Sequence, residues 1–339
     1  MLCRSSTIRH KLSGVTLQTP LLIPSFSSKG FARSKKDGKS EIGKILATAG
    51  EFLTEAYLIS AYDIYYQDLP NADSLPFTPD LIFLDSGGYE ISTDRDYSSV
   101  IDPLPAPEPW DVENLKSVLG DWPEEIPAVF VSYDRPDERK PYSEQVANAR
   151  KLFRDHRNQL GLLLLKPETK SQNTLKETLG AAAVNASELG SFDIIGVTEK
   201  ELGWSMIDRM AQIATLRLAM DNADVTAPIH IFGALDPLSV CLYFLAGAEI
   251  FDGLTWIRYA YNDGMCVYMH NASVVNFGLY ERDNLVKSRT VANNYYYLQD
   301  LEHRLREFEA TGTFDKLEPH SKLLVDAYDS LRTKLKGRL

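Results

Sequence analysis

Eight short apolar, strand-like runs recur along almost the whole chain, each closed by a polar or glycine-rich stretch and most followed by a segment of helical length. They are Leu21–Phe26, Ala56–Ser60, Leu81–Leu84, Ala128–Ser132, Gly161–Leu165, Asp193–Val197, Ile229–Phe232 and Glu249–Phe251. Apolar spacing predicts helices at Glu41–Phe52, Val112–Leu119, Ser143–His156, Asn173–Leu189, Trp204–Met220 and Pro237–Ala246. Leu162-Leu163-Leu164-Leu165 is apolar without alternation, as in a parallel strand covered on both faces. Eight such units in 339 residues predict an α/β fold, a (β/α)8 TIM barrel in preference to an open doubly wound sheet. Ser13 to Pro20 predicts a strand or hairpin capping the barrel floor. The proline-rich stretch Asp102–Pro127 predicts an insertion after the third strand that forms a flap over the site. Two helical patterns, Asn294–Glu309 and Pro319–Lys336, close the chain, so one barrel domain is expected, with its core over 13–265 and a shortened helical region over 266–339.

Composition excludes other classes. The chain is 44% apolar and 24% charged, a globular balance, and no apolar run approaches the roughly 18–20 residues that a membrane span needs. Three scattered cysteines, Cys3, Cys241 and Cys266, make no disulfide framework, and a reducing cytoplasm is the expected compartment. The formal charge of −11 hides an asymmetry: residues 1–50 carry nine Lys/Arg against two acids, a local +7 that leaves −18 for the rest. The basic stretch that contains Lys29, Arg33, Lys35 and Lys36 reads either as a solvated loop or as a local polyanion contact at the barrel mouth.

In a barrel of this kind the reactive groups lie just past the carboxyl ends of the strands. Those positions hold Asp85, Asp134, Lys166 with Glu168, Thr198 with Glu199, Gly233 and Asp252. Acids converging on one mouth suit paired-carboxylate chemistry. Each also has a plainer reading as a turn-former or ion-pair partner, Asp85 before Ser86-Gly87-Gly88, Asp134 before Arg135-Pro136 and Asp252 before Gly253. His230, between Ile229 and Ile231, reads as a satisfied core residue.

Several of these pieces, in order, resemble the tRNA-guanine transglycosylases. Leu17-Gln18-Thr19-Pro20-Leu21-Leu22-Ile23-Pro24 is similar to the family's opening strand, and Asp85-Ser86-Gly87-Gly88-Tyr89 to its Asp-Ser-Gly-Gly-aromatic signature. Phe232-Gly233 through Asp236-Pro237, then Ala246 to Asp252, resembles the approach to the catalytic Phe-Asp, continued by Arg258 and Asn262-Asp263-Gly264. The likeness covers about Val15 to Gly264 and implies a (β/α)8 barrel. It implies that Asp252 is a nucleophile at C1′ of a guanine nucleotide and Asp85 the general acid/base, with retention through a covalent glycosyl-enzyme. It further implies that Tyr89 stacks on the purine, that Asp134 accepts from guanine N1 and N2, that the backbone of Gly196-Val197 lines the pocket, and that Ser86, Gly87, Gly88, Gly233 and Arg258 belong to the substrate site. Lys166-Pro167 stands where the family has Gln-Gly. Its lysine reads equally as a donor to purine O6 or as an ion-pair partner of Glu168.

The family's Cys-x-Cys-x-x-Cys…His zinc cluster has no counterpart here, since Cys266 and His270 stand without further thiolates. No metal and no cofactor is therefore expected. With the shortened tail, this departure resembles the branch that inserts 7-deazaguanines into DNA. The expected activity is exchange of guanine in a polynucleotide, DNA in preference to tRNA, for a preQ0-like base. Accessory proteins are expected to open a duplex, because the body is acidic. The alternatives are a zinc-less tRNA enzyme and a non-catalytic subunit of a catalytic partner.

Overall fold

The computed structural model describes residues 1–34, 38–93, 106–169 and 174–336. Eight parallel strands form one sheet: β1 (Leu21–Pro24), β2 (Ala56–Ser60), β3 (Leu81–Asp85), β4 (Ala128–Val131), β5 (Leu160–Leu165), β6 (Ile194–Thr198), β7 (Ile229–Phe232) and β8 (Ile250–Gly253). Each pairs with its sequence neighbour from β2 round to β8, and β8 pairs with β1. A single bridge between Ser25 and Leu58, with the Phe26 N–H donating to the Leu58 carbonyl at 2.8 Å, joins β1 to β2 and nearly closes the ring. This is the α/β TIM-barrel architecture that the strand periodicity predicts.

Apolar residues on both faces explain the strands. In β5, Leu162 and Leu164 fill the barrel interior while Leu163 and Leu165 pack outward on the helices. The same alternation puts Leu21 and Ile23, Leu81 and Phe83, and Ile250 inside. The expected floor cap is a hairpin, Thr7–Arg9 paired antiparallel with Thr16–Gln18, and its Ile8 and Leu17 join the interior cluster from below. The expected insertion is in part regular: Asp111 caps the helix Val112–Gly120 in a reciprocal capping box. Residues 94–105, and with them the start of the expected flap, lie outside the described residues.

The tail begins earlier than the apolar pattern suggests. A 29-residue helix, Asp283–Thr311, buries Val286, Thr290, Asn294, Leu298, Leu301, Leu305 and Phe308 along one stripe. The polar Thr290 and Asn294 hid its first turns. Asn294 is buried because its amide donates to the carbonyls of Trp256 and Tyr259, both at 2.7 Å, and accepts from the Tyr261 N–H at 2.8 Å. Sequence reading also missed a helix at Met269–Phe277 and a hairpin of Ala260–Asn262 with Met265–Val267. Among the described residues no helix is long and apolar enough to cross a membrane.

The long helix also completes the barrel wall. On β1 the N–H groups of Leu21 and Ser25 point to the β8 side, donating to Glu249 and Gly253 carbonyls. Those of Leu22 and Phe26 point to β2, and Pro24 between them has no N–H to give. The Leu22 N–H instead donates to Glu302 Oε2 at 3.2 Å, and Tyr295 and Leu298 line the remaining seam with it. Burial first, then the nearby Glu55 charge, pushes the Glu302 carboxyl from the usual 4.5 up to about 8. Between those values the folded chain holds a proton that the unfolded chain has lost, so this site's stability is full below the lower value and drains away as pH rises towards the upper one. The Glu302→Gln variant is expected to flatten the fall in melting temperature from pH 5 to pH 8, by ~2 °C or more, in thermal unfolding followed by circular dichroism.

Candidate active site

Strand alternation continues into the rim of the barrel. Beyond the last interior apolar layer, the inward phase delivers Ser25 after β1, Ser60 at the end of β2, Asp85 at the end of β3, Lys166 after β5 and Asp252 within β8, each two residues past an interior apolar side chain, and Thr198 at the end of β6, two past Gly196. Asp85 and Asp252 line one cavity of about 380 Å³, together with Tyr89, Asp134, Lys166 and Phe232. That volume lies at the small-ligand end of natural binding pockets.

The two central acids sit in different surroundings. Asp252 has a donor on each oxygen. Ser25 Oγ donates to Oδ2 at 2.7 Å, while His230 Nε2 at 2.9 Å and the Gly233 N–H at 3.3 Å address Oδ1. Asp85 receives one N–H, from Gly87 at 3.2 Å. Burial chiefly, then the charges of Glu90, Asp252 and Asp134, push its carboxyl up to about 7. Beside Asp85, Glu90 also lines the cavity and accepts from Ser27 Oγ and, at 2.8 Å, from Ser60 Oγ, while Asp63, outside the lining, accepts from the Ser28 N–H at 2.8 Å. Burial raises both carboxyls above their ordinary range, the Asp63 carboxyl far above it.

The turn after β3 explains the two glycines. Gly87 takes φ +89°, and a Cβ there would meet Trp110 Nε1 at 2.7 Å; a Cβ on Gly88 would meet the Asp134 carbonyl and carboxylate, both at 2.9 Å. The Trp110 indole also donates to the Ser86 carbonyl at 2.9 Å, which ties the insertion to this turn. Ser86 lines the cavity, and its buried hydroxyl has no partner among the described residues.

Opposite stands a buried ring of alternating charge. Arg139 donates to Asp134 and to Glu201, each at 2.9 Å, and Lys166 Nζ lies 3.0 Å from Glu201 and 3.3 Å from Asp134. Lys166 also donates to Thr198 Oγ1 at 2.7 Å. Burial works against the Lys166 ammonium, yet Asp134 and Glu201 outweigh it and raise its pKa; burial likewise opposes the Glu201 carboxylate, and Lys166 and Arg139 still hold it below its usual range. The expected partner of Lys166, Glu168, accepts from the Tyr142 N–H instead, at 3.1 Å. Lys166 is thus an ion-pair member at the cavity wall, with Glu201 in the place assigned to Glu168.

Other sequence-based expectations are corrected. Lys29, expected as a phosphate contact, is buried: its ammonium donates to the Tyr89 and Ser92 carbonyls at 2.9 and 2.7 Å and lies 4.5 Å from the Tyr89 ring centroid. Arg33 makes a two-point pair with the buried Asp68 at 2.9 and 2.6 Å. Lys35 and Lys36 lie outside the described residues. Arg258 does not reach the cavity; it donates to the Lys29 carbonyl at 2.7 Å and to Tyr89 OH at 3.5 Å, and so holds the loop after β1. Gly196 sits one layer too low, under Leu162 and Phe232, and Val197 faces the helices, so Thr198 lines the cavity in their stead. Gly87 shapes the turn behind the cavity, whereas Gly88 and Gly233 line it.

His230 is buried and hydrogen-bonded, as expected of a core residue, and what the sequence did not show is its partner: Ile229 and Ile231 face outward, and the inward phase of β7 is His230 and Phe232. The pairing of Ile250 with His230 across β7 and β8 puts the imidazole beside Asp252. Arg139, Glu201, Glu90 and Ser25 were also missed. Only Ser25, two residues beyond inward-facing Ile23, carried a periodic signal.

Cys266 lines the cavity, and burial pushes its thiol far up; His270 lies at the surface, 3.4 Å from Asp283. Among the described residues no three of His, Cys, Asp and Glu gather as a metal site. A scan of protein-family models and a search of curated proteins find no match to this chain.

Proposed function

We propose that the chain is a base-exchange transglycosylase that replaces guanine in a polynucleotide, DNA in preference to tRNA, with a 7-deazaguanine of the preQ0 type. The observation that carries this reading is the unequal pair of carboxyls in one cavity. Asp252 is held by three donors as an oriented acceptor, while Asp85 is buried and favours its protonated form up to about pH 7. Paired acids with divergent surroundings divide the roles of nucleophile and acid. A carboxylate oxygen of Asp252 attacks C1′, the glycosidic bond breaks, and its electron pair leaves with guanine, which takes the Asp85 proton. The incoming base returns a proton to Asp85 and displaces the aspartyl ester, so two inversions retain configuration. The target nucleotide must be unstacked to reach the cavity, and the presence of Tyr89 on its wall supports a stacking role for that ring. The choice of polymer follows the family resemblance and the absence of the cysteine cluster from the sequence.

The test is to incubate the protein with labelled 7-cyano-7-deazaguanine and either a single-stranded guanine-containing DNA or tRNA, and to count label in the polymer. Label in DNA is expected, label in tRNA alone would overturn the DNA assignment, and label in neither would overturn the exchange reading. Because the acid must carry its proton, kcat/KM is expected to fall about tenfold per pH unit above about 7, where Asp85 ionises, and to level off below it.

A further inference from the structure

His230 is completely buried and its position is fixed on three sides. The ring stacks on Phe232 with centroids 4.0 Å apart and planes 20° from parallel, and meets the edge of Phe83 at 5.6 Å. Nε2 lies 2.9 Å from Asp252 Oδ1, and the attacking carboxylate of the reaction proposed above only accepts, which assigns the proton to Nε2. Nδ1 is buried without a hydrogen-bond partner among the described residues. A histidine that shuttles protons is held and charge-stabilised at its second nitrogen, as the aspartate does in catalytic triads, and among the described residues Nδ1 here has no such group. This imidazole is built to hold a proton towards Asp252 and not to pass it on.

The two oxygens of Asp252 consequently differ. Oδ1 takes two donors fixed by the framework, an imidazole locked between rings and a backbone N–H. Oδ2 takes one donor, the hydroxyl of Ser25, which can rotate away. When the carboxylate becomes an ester, the carbonyl oxygen remains a good acceptor and the bridging oxygen becomes a poor one. The oxygen with two fixed donors is therefore the one that stays a carbonyl.

Resting on the covalent reading above, we infer that Asp252 Oδ2 is the attacking oxygen and that His230 is a positioning residue which makes Asp252 a good leaving group in the second half of the reaction. In the first half, an Oδ2 electron pair forms the bond to C1′ as the bond to guanine breaks, and Oδ1 keeps both its hydrogen bonds. In the second, the incoming base nitrogen bonds to C1′, and the ester C–O pair returns to Oδ2. The restored negative charge is shared with Oδ1, where the Nε2–H and the Gly233 N–H stabilise it. A donor to the carboxylate thus favours free enzyme over ester, and its loss favours ester.

The discriminating experiment follows the covalent adduct on the full chain, with the single-stranded DNA and 7-cyano-7-deazaguanine as probes. The His230→Phe variant keeps the aromatic packing and removes the donor. It is expected to accumulate adduct, with breakdown slowed about 10- to 100-fold while KM for the incoming base changes little. His230→Gln, whose amide N–H reaches the Nε2 position, is expected to restore breakdown to within about tenfold. A folded His230→Phe variant whose adduct decays at the wild-type rate overturns the inference, and so does a folded His230→Gln variant as slow as His230→Phe. A merely structural histidine would depress formation and breakdown alike. Nitrogen-15 spectra of the imidazole provide an arm independent of turnover: Nε2 protonated, Nδ1 bare, and the Nε2 signal displaced in Asp252→Asn. A bare Nε2 in the wild-type protein overturns the inference whatever the substrate, whereas absence of exchange with the expected spectra overturns only the reading of the reaction.

Discussion

The Asp252→Asn variant is expected to lose base exchange by about 10⁴-fold or more and to form no covalent adduct, because it removes the carboxylate whose two oxygens Ser25 on one side, and His230 and Gly233 on the other, orient in the cavity. The substitution is nearly isosteric, so thermal unfolding should show a folded protein, destabilised by the mismatch between the new amide and one of its donors. Denaturing gel electrophoresis after incubation with guanine-containing polymer, read beside the label-exchange assay, measures both effects. Full exchange by this variant would show that the chemistry lies elsewhere and would suit a chain that only assists a catalytic partner.

The second large effect is on stability. Glu201 neutralises both Arg139 and Lys166 inside the protein, with side-chain exposures of 8%, 12% and 12%. The Glu201→Gln variant leaves two buried cations facing one carboxylate, Asp134. Breaking a buried pair from one side typically costs about 3–5 kcal/mol, and equilibrium urea unfolding is expected to show a loss of this size. Replacing Glu201 by Leu and Lys166 by Met together should recover much of it, because no charge is then stranded. If the single variant is as stable as the wild type, water reaches the ring and its charges are not held as the contacts indicate. The same ring fixes the Asp134 carboxylate at the cavity wall, so the single variant is also expected to weaken binding of the incoming base.

What was legible in the sequence was whatever obeys a period. Ala56–Ser60 and Ile229–Phe232 were bounded as the structure has them, and the remaining strands were placed to within two residues at either end, because interior and helix-facing layers are both apolar and the turns between them are not. Asp85 and Asp252 could be found because they end such runs in the inward phase. Partnerships across the barrel could not be found. Glu201 meets Lys166 only through the register of β5 and β6, and Arg139 reaches both acids from a loop with no repeat. Lys29 was misjudged for the same reason: a basic run reads as solvent-facing until the carbonyls of Tyr89 and Ser92 are brought to it, whereas Arg33 stays exposed while it pairs with Asp68. The burial of His230 was legible, but its contact with Asp252 was not, because the isoleucines beside it belong to the opposite face of the strand.

The gap that Pro24 leaves between β1 and β2 makes the ring of strands depend on a helix far along the chain. Glu302, Tyr295 and Leu298 act there as a clasp on the very strand that leads to Ser25, one of the groups gripping Asp252. Deleting the tail would therefore do more than strip a decoration from the outside: the hoop would spring at its joint, and the disturbance would run up β1 to the Asp252 carboxylate.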